Sequence, residues 1–60
     1  MPDPRVVEMR RRLVTLMRLA DEAERRGRGR EASMVLSLLD GGVITYREAV
    51  SLLRRLALDR

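Results

Sequence analysis

Leu38-Leu39-Asp40-Gly41-Gly42-Val43-Ile44-Thr45-Tyr46-Arg47-Glu48 is the stretch on which the fold turns. An apolar pair gives way to Asp40 and two glycines, the pattern of a helix stop in which a glycine takes the left-handed conformation. Ile44 follows as an apolar plug. Thr45 and Glu48 then stand three residues apart, the spacing of a capping box, where each side chain accepts from the other's backbone N–H. The stretch predicts a helix–turn–helix hairpin, with the turn over 40–45 and with Gly42, Thr45 and Glu48 as its turn and cap residues.

On the C-terminal side, helix 3 is expected over 46–58. Tyr46, Ala49, Val50, Leu53, Leu56 and Ala57 share one face, roughly 160° wide at about 100° per residue, with Leu52 at its edge. Arg47, Ser51, Arg54 and Arg55 lie opposite. On the N-terminal side, helix 2 is expected over 30–39. Ala32, Met34, Val35, Leu36, Leu38 and Leu39 surround most of it, and only Ser33 and Ser37 form a polar stripe. A helix apolar nearly all round requires burial on several sides, more than two neighbouring helices readily supply.

Helix 1 is expected over 4–26, with Asp3 as N-cap and Pro4 in the first helical position, where a missing N–H costs nothing. Val6, Met9, Leu13, Leu16, Ala20 and Ala23 alternate three and four residues apart, an a/d seam of nearly three heptads. Val7 and Val14 project away from it, toward the charged side. Gly27 and Gly29 make 27–29 an Arg/Gly loop, or else a bend in one longer helix; periodicity leaves both open. The expected architecture is all-α, a single small domain over 1–60: a long N-terminal helix, then a helix–turn–helix hairpin, three helices completed by oligomerisation. The predicted core and interface residues are Val6, Met9, Leu13, Val14, Leu16, Ala20, Val35, Leu39, Leu53 and Leu56.

Two motif readings of the turn fail on residue type. Gly42, Ile44 and Glu48 match places in a calcium-binding loop, but Ser37, Leu39 and Gly41 stand where its carboxylates belong. A DNA-reading helix–turn–helix would use Arg47, Arg54 and Arg55, yet its turn is normally three or four residues, and the chain has no Asn or Gln to read adenine. The pattern Leu-Leu-Asp-x-Gly-x-Ile-Thr-x-x-Glu, from Leu38 to Glu48, resembles the SHOCT family (short C-terminal domain), a brief helical hairpin usually appended to larger proteins. The likeness extends over roughly 36–56 and implies a hairpin with a role in oligomerisation. Where that family carries an aromatic residue after the glutamate, this chain has Ala49.

Composition narrows the function. The chain has 60 residues, and a domain of that size buries only about 60% of its unfolded surface, so its core is marginal. No Cys and no His are present, which removes disulfides, thiolate nucleophiles and the usual zinc and iron ligands. Association is the remaining source of stability. All 13 basic residues are Arg, and Lys, Asn, Gln and Phe are absent, a bias that GC-rich codon usage explains. Thr15, Ser33, Ser37, Thr45, Ser51 and Tyr46 supply hydroxyls, but no His, Lys or Cys is there to activate them. No enzyme, cofactor or metal is expected.

The net charge of +4 is local. Residues 1–24 hold five Arg and five acids, residues 31–60 hold four of each, and the excess is Arg25, Arg26, Arg28 and Arg30. Arg25 and Arg26 suit a helix C-terminus, which favours cations, while all four together form a candidate phosphate-binding loop. Elsewhere the charges fall at helical spacings: Glu8 with Arg11 and Arg12, Arg18 with Asp21 and Glu22, and these two acids with Arg25 and Arg26.

The leading expectation is a non-enzymatic, self-associating adaptor, a homo-oligomer (dimer favoured) or the partner of a larger protein. The alternative is a small nucleic-acid-binding protein using the Arg25–Arg30 loop on a dimeric scaffold. A third reading places the basic helix 1 on a membrane surface, but interfacial aromatics are missing. No segment is apolar enough to span a membrane, and Met-Pro-Asp-Pro is not a signal peptide, so an intracellular, cytoplasmic location is expected.

Overall fold

The computed structural model describes residues 1–58, which form three α-helices: α1 (Pro4–Arg25), α2 (Gly29–Asp40) and α3 (Tyr46–Leu58). No strand occurs among the described residues. The all-α architecture expected from the periodicity, a long N-terminal helix followed by a hairpin, is the one observed.

Each boundary has a local cause. The Asp3 carboxylate accepts from the Arg5 N–H at 2.9 Å and opens α1, with Pro4 in the first turn. At the other end Gly27 has φ 79°, the Arg28 N–H donates to the Ala23 carbonyl at 2.9 Å, and the Gly27 N–H donates to Glu24 at 2.9 Å. This paired closure satisfies the last carbonyls of a helix and reverses the chain. Helices 1 and 2 are therefore separate, not one bent helix. The same closure ends α2: Gly42 has φ 74°, Val43 N–H donates to Leu38 at 2.9 Å, and Gly42 N–H to Leu39 at 3.0 Å. Thr45 and Glu48 then cap α3 reciprocally, at 3.0 and 3.1 Å.

Three boundaries move by one residue. Helix α1 ends at Arg25 rather than 26, because Arg26 already serves as the cap. Helix α2 starts at Gly29 rather than 30 and ends at Asp40 rather than 39, so the turn covers 41–45. A Cβ at Gly29 would lie 3.3 Å from the Glu24 side chain, so glycine lets α2 start close against the last turn of α1.

Two contacts set the helix directions. Arg12 of α1 lies over the Tyr46 ring at the start of α3, and Arg28, just past α1, reaches the Leu56 carbonyl near the end of α3. Helices α1 and α3 thus run side by side in one direction, with α2 antiparallel. Their lengths do not match. Helix α1 has 22 residues, about 33 Å, against 12 and 13 residues, about 18–20 Å, in the hairpin helices.

The core is built around Leu53, the largest fully buried side chain. Leu16, Val35, Ala23, Ala32, Ala49 and Ala57 are buried with it, and Leu19, Leu36, Leu39, Ile44, Val50 and Leu56 pack on the margin. Four of the seven buried residues are alanine. Leu53→Ala is expected to cost about 2–5 kcal/mol, because truncating a fully buried side chain leaves a cavity in the core. Gly42→Ala is expected to cost about 1–2 kcal/mol for its left-handed backbone, against a near-neutral Gly41→Ala, whose Cβ would meet nothing closer than 3.4 Å. Urea unfolding at fixed protein concentration measures all three; equal costs at the two glycines would contradict the described turn.

Candidate interaction surfaces

The seam of helix 1 divides. Its row Met9-Leu16-Ala23 turns toward the hairpin, and its row Val6-Leu13-Ala20 stands about 60° away, at about 100° per residue. Leu16 and Ala23 are buried, and Ala20 is half-buried. Met9 lies on the inward row but before Arg12, which is level with the first residue of α3, so the hairpin does not reach it. Every residue from 4 to 14 is exposed.

A continuous apolar line results. Val6 is 46% exposed, Met9 62%, Leu13 53% and Met17 69%. It runs on to Ala20 and, across an open groove of about 460 Å³, to Leu36 of α2. Val7 and Val14 are exposed on the flank beyond it. Of the predicted core and interface residues, Leu16, Val35 and Leu53 are buried, Ala20, Leu39 and Leu56 are half-buried, and Val6, Met9, Leu13 and Val14 lie on the surface. Met17 was outside the predicted seam, although it follows Leu13 by four residues. Helix α2 is only partly enclosed: Met34 faces out, while Leu36, Leu38 and Leu39 are half-buried.

The overall dimensions agree with an uncovered flank. The chain exposes 5145 Å², where a folded monomer of 6.9 kDa is expected to expose about 4000 Å². Its radius of gyration is 12.1 Å, against about 10 Å for a compact domain of this length.

The arginines of the 25–30 segment are mostly engaged within the chain. Arg25 pairs with Asp21 at 2.9 Å and Glu22 at 3.6 Å, and Arg26 pairs with Glu22 at 3.5 Å. Arg28 donates to the Leu56 carbonyl at 3.5 Å, tying the loop to α3. Arg30 stands exposed in the first turn of α2. Glu8 takes Arg12 at 3.4 Å and Arg11 at 3.9 Å, as their spacing suggests, whereas Arg18 makes neither of the pairs its spacing allows. All these pairs are solvent-exposed and worth a few tenths of a kcal/mol each.

A second concentration of arginine forms only in three dimensions. Along α1 and α3 runs an open groove of about 730 Å³, lined by Arg12, Arg47, Arg54 and Arg55 together with Tyr46 and Ser51. No carboxylate among the described residues lines it. The Arg12 guanidinium sits 4.8 Å from the Tyr46 ring centroid, within cation–π range. Arg12 is 34 positions before Tyr46, so helical spacing within either helix could not have joined them. The legible signal was the Arg47, Ser51, Arg54 and Arg55 face of α3.

No group of three or more acidic residues able to hold a metal ion occurs among the described residues, and none of their helices is long and apolar enough to cross a membrane. No family model, curated protein or solved structure matches this chain. The likeness of 36–56 to the SHOCT pattern therefore rests on its own residues. Arg28→Ser is expected to lower stability by about 0.5–1 kcal/mol through the lost contact to Leu56, and Arg30→Ser to leave it unchanged. Chemical denaturation of the two variants, measured side by side, checks the difference.

Proposed function

We propose that this chain is a non-enzymatic association module that pairs with a second copy of itself through the N-terminal half of α1. The apolar line Val6-Met9-Leu13-Met17 carries this reading. Single exposed apolar residues need no explanation, but a contiguous line over three turns of one helix marks an interface. With the flanking Val7 and Val14, each chain offers several hundred Å² of apolar surface, on the scale of the ~800 Å² that each partner gives to a standard interface.

A second copy is the favoured occupant because the apolar line can cover its own counterpart across a two-fold axis. Antiparallel crossing near Met9 sets Val6 of one copy against Leu13 of the other. Closed two-fold pairing is also the commonest oligomeric solution. A larger protein presenting its own apolar helix is the competing occupant.

Leu13→Glu and Leu16→Glu separate interface from core. Leu13 is exposed in the single chain, so Leu13→Glu should leave helicity intact while reducing the scattering mass from twice 6.9 kDa to one chain. Leu16 is buried, and a carboxylate there should unfold the domain. The wild-type melting temperature should rise with protein concentration, and that of Leu13→Glu should not. A wild type that scatters as 6.9 kDa at millimolar concentration excludes self-association and leaves the larger partner.

A further inference from the structure

The arginine groove between α1 and α3 lies on the opposite flank of α1 from the apolar line, and self-association through that line does not use it. We infer that this groove binds the phosphate backbone of a nucleic acid duplex without regard to base sequence. The assignment differs from the Arg25–Arg30 loop in residues and in position, and it stands independently of self-association.

Three features carry it. The first is charge without compensation. Among the described residues, Arg47, Arg54 and Arg55 have no carboxylate partner, and no acid lines the groove. Arg12, the fourth arginine of the groove, pairs with Glu8 at 3.4 Å, so the unpaired charge there is that of α3. Arginine forks match phosphate oxygens in two parallel hydrogen bonds, and Ser51, between Arg47 and Arg54 on the same face, adds a hydroxyl donor.

The second is shape. The groove is open and follows α3 from Thr45 to Arg55, about 15 Å of helix. A compact anion would be better held in an enclosed pocket; an extended polyanion can engage successive arginines. An acidic peptide helix would also need apolar wells for its anchoring side chains, and Val50 is the sole aliphatic residue in the lining.

The third is what the groove lacks. Arg12 already covers the one aromatic ring, so bases have no free platform on which to stack. No Asn or Gln exists in the chain to read base edges. Without stacking, a single strand gains from charge alone, and a duplex presents twice the charge per unit length of axis. Sequence-independent duplex binding is what remains.

Fluorescence anisotropy with a short labelled DNA duplex tests this at several salt concentrations. Wild-type protein should bind at low salt and weaken steeply as salt rises, with dissociation constants of about 10⁻⁴ to 10⁻⁶ M at physiological salt. Replacing both Arg47→Gln and Arg54→Gln keeps helix propensity and should reduce the salt slope by about two units, one per lost phosphate contact. Arg47→Lys with Arg54→Lys should keep most of the slope with weaker affinity, and serves as the folded reference if the Gln variant loses helicity. Arg18→Gln with Arg30→Gln, an equal loss of charge elsewhere, should leave the slope unchanged. An equal fall in that control overturns the groove assignment. So does a wild type that ignores duplex DNA at low salt, or one from which poly-glutamate displaces the duplex at matched charge.

Discussion

The three helices meet around four buried alanines, Ala23, Ala32, Ala49 and Ala57. Ala23, Ala49 and Ala57 are wholly buried, as is Leu53, which clusters with Ala23 and Ala49. Small residues bring helix backbones close and leave little room for anything larger. The interior of this domain is therefore narrow, and among the described residues Leu16, Val35 and Leu53 are the larger buried members, Leu53 alone fully so. Everything else about the surface follows from that narrowness. Val6, Val7, Met9, Leu13, Val14 and Met17, most of the bulky apolar side chains of α1, stand outside.

The length mismatch compounds it. The hairpin closes at Val43 to Thr45 and reaches α1 only at Arg12, where Tyr46 takes up the guanidinium. Two turns of α1 before that level have no neighbour in the chain. An isolated helix end of that length is marginal in water even with a good cap, so the Asp3 cap and the Glu8 pairs with Arg11 and Arg12 do not account for apolar residues placed there. The second chain proposed above would. The two flanks of α1 thereby acquire different characters: apolar toward α2, cationic toward α3.

The hairpin was legible because its signals are local. Gly42 and the Thr45–Glu48 pair act within four residues of one another, and the hydrogen bonds that pattern implies are the ones observed. Leu53 and Val35 were legible as core for the same reason, lying at the centre of well-marked apolar faces. The seam of α1 was half legible. Heptad spacing identifies which residues share a stripe, but not which of its two rows meets the hairpin, nor how far along the helix the hairpin extends. The arginine groove needed the fold itself, since Arg12 joins Arg47 and Arg54 only when α1 and α3 lie side by side. Conversely, the local charge excess at Arg25–Arg30 overstated the free charge there, because Arg25 and Arg26 answer acids one turn earlier and Arg28 answers a distant carbonyl.

In the proposed dimer the exposed row of α1 is covered by the same row of a second chain. Isotope-filtered nuclear Overhauser spectroscopy on an equal mixture of labelled and unlabelled protein tests it directly, since it detects only contacts between copies. The antiparallel pairing predicts intermolecular cross-peaks between the methyls of Val6 and Leu13, with others at Met9. Intermolecular cross-peaks confined to Met34, Val43 or Leu58, or none at all at concentrations where the scattering mass is that of one chain, would contradict it.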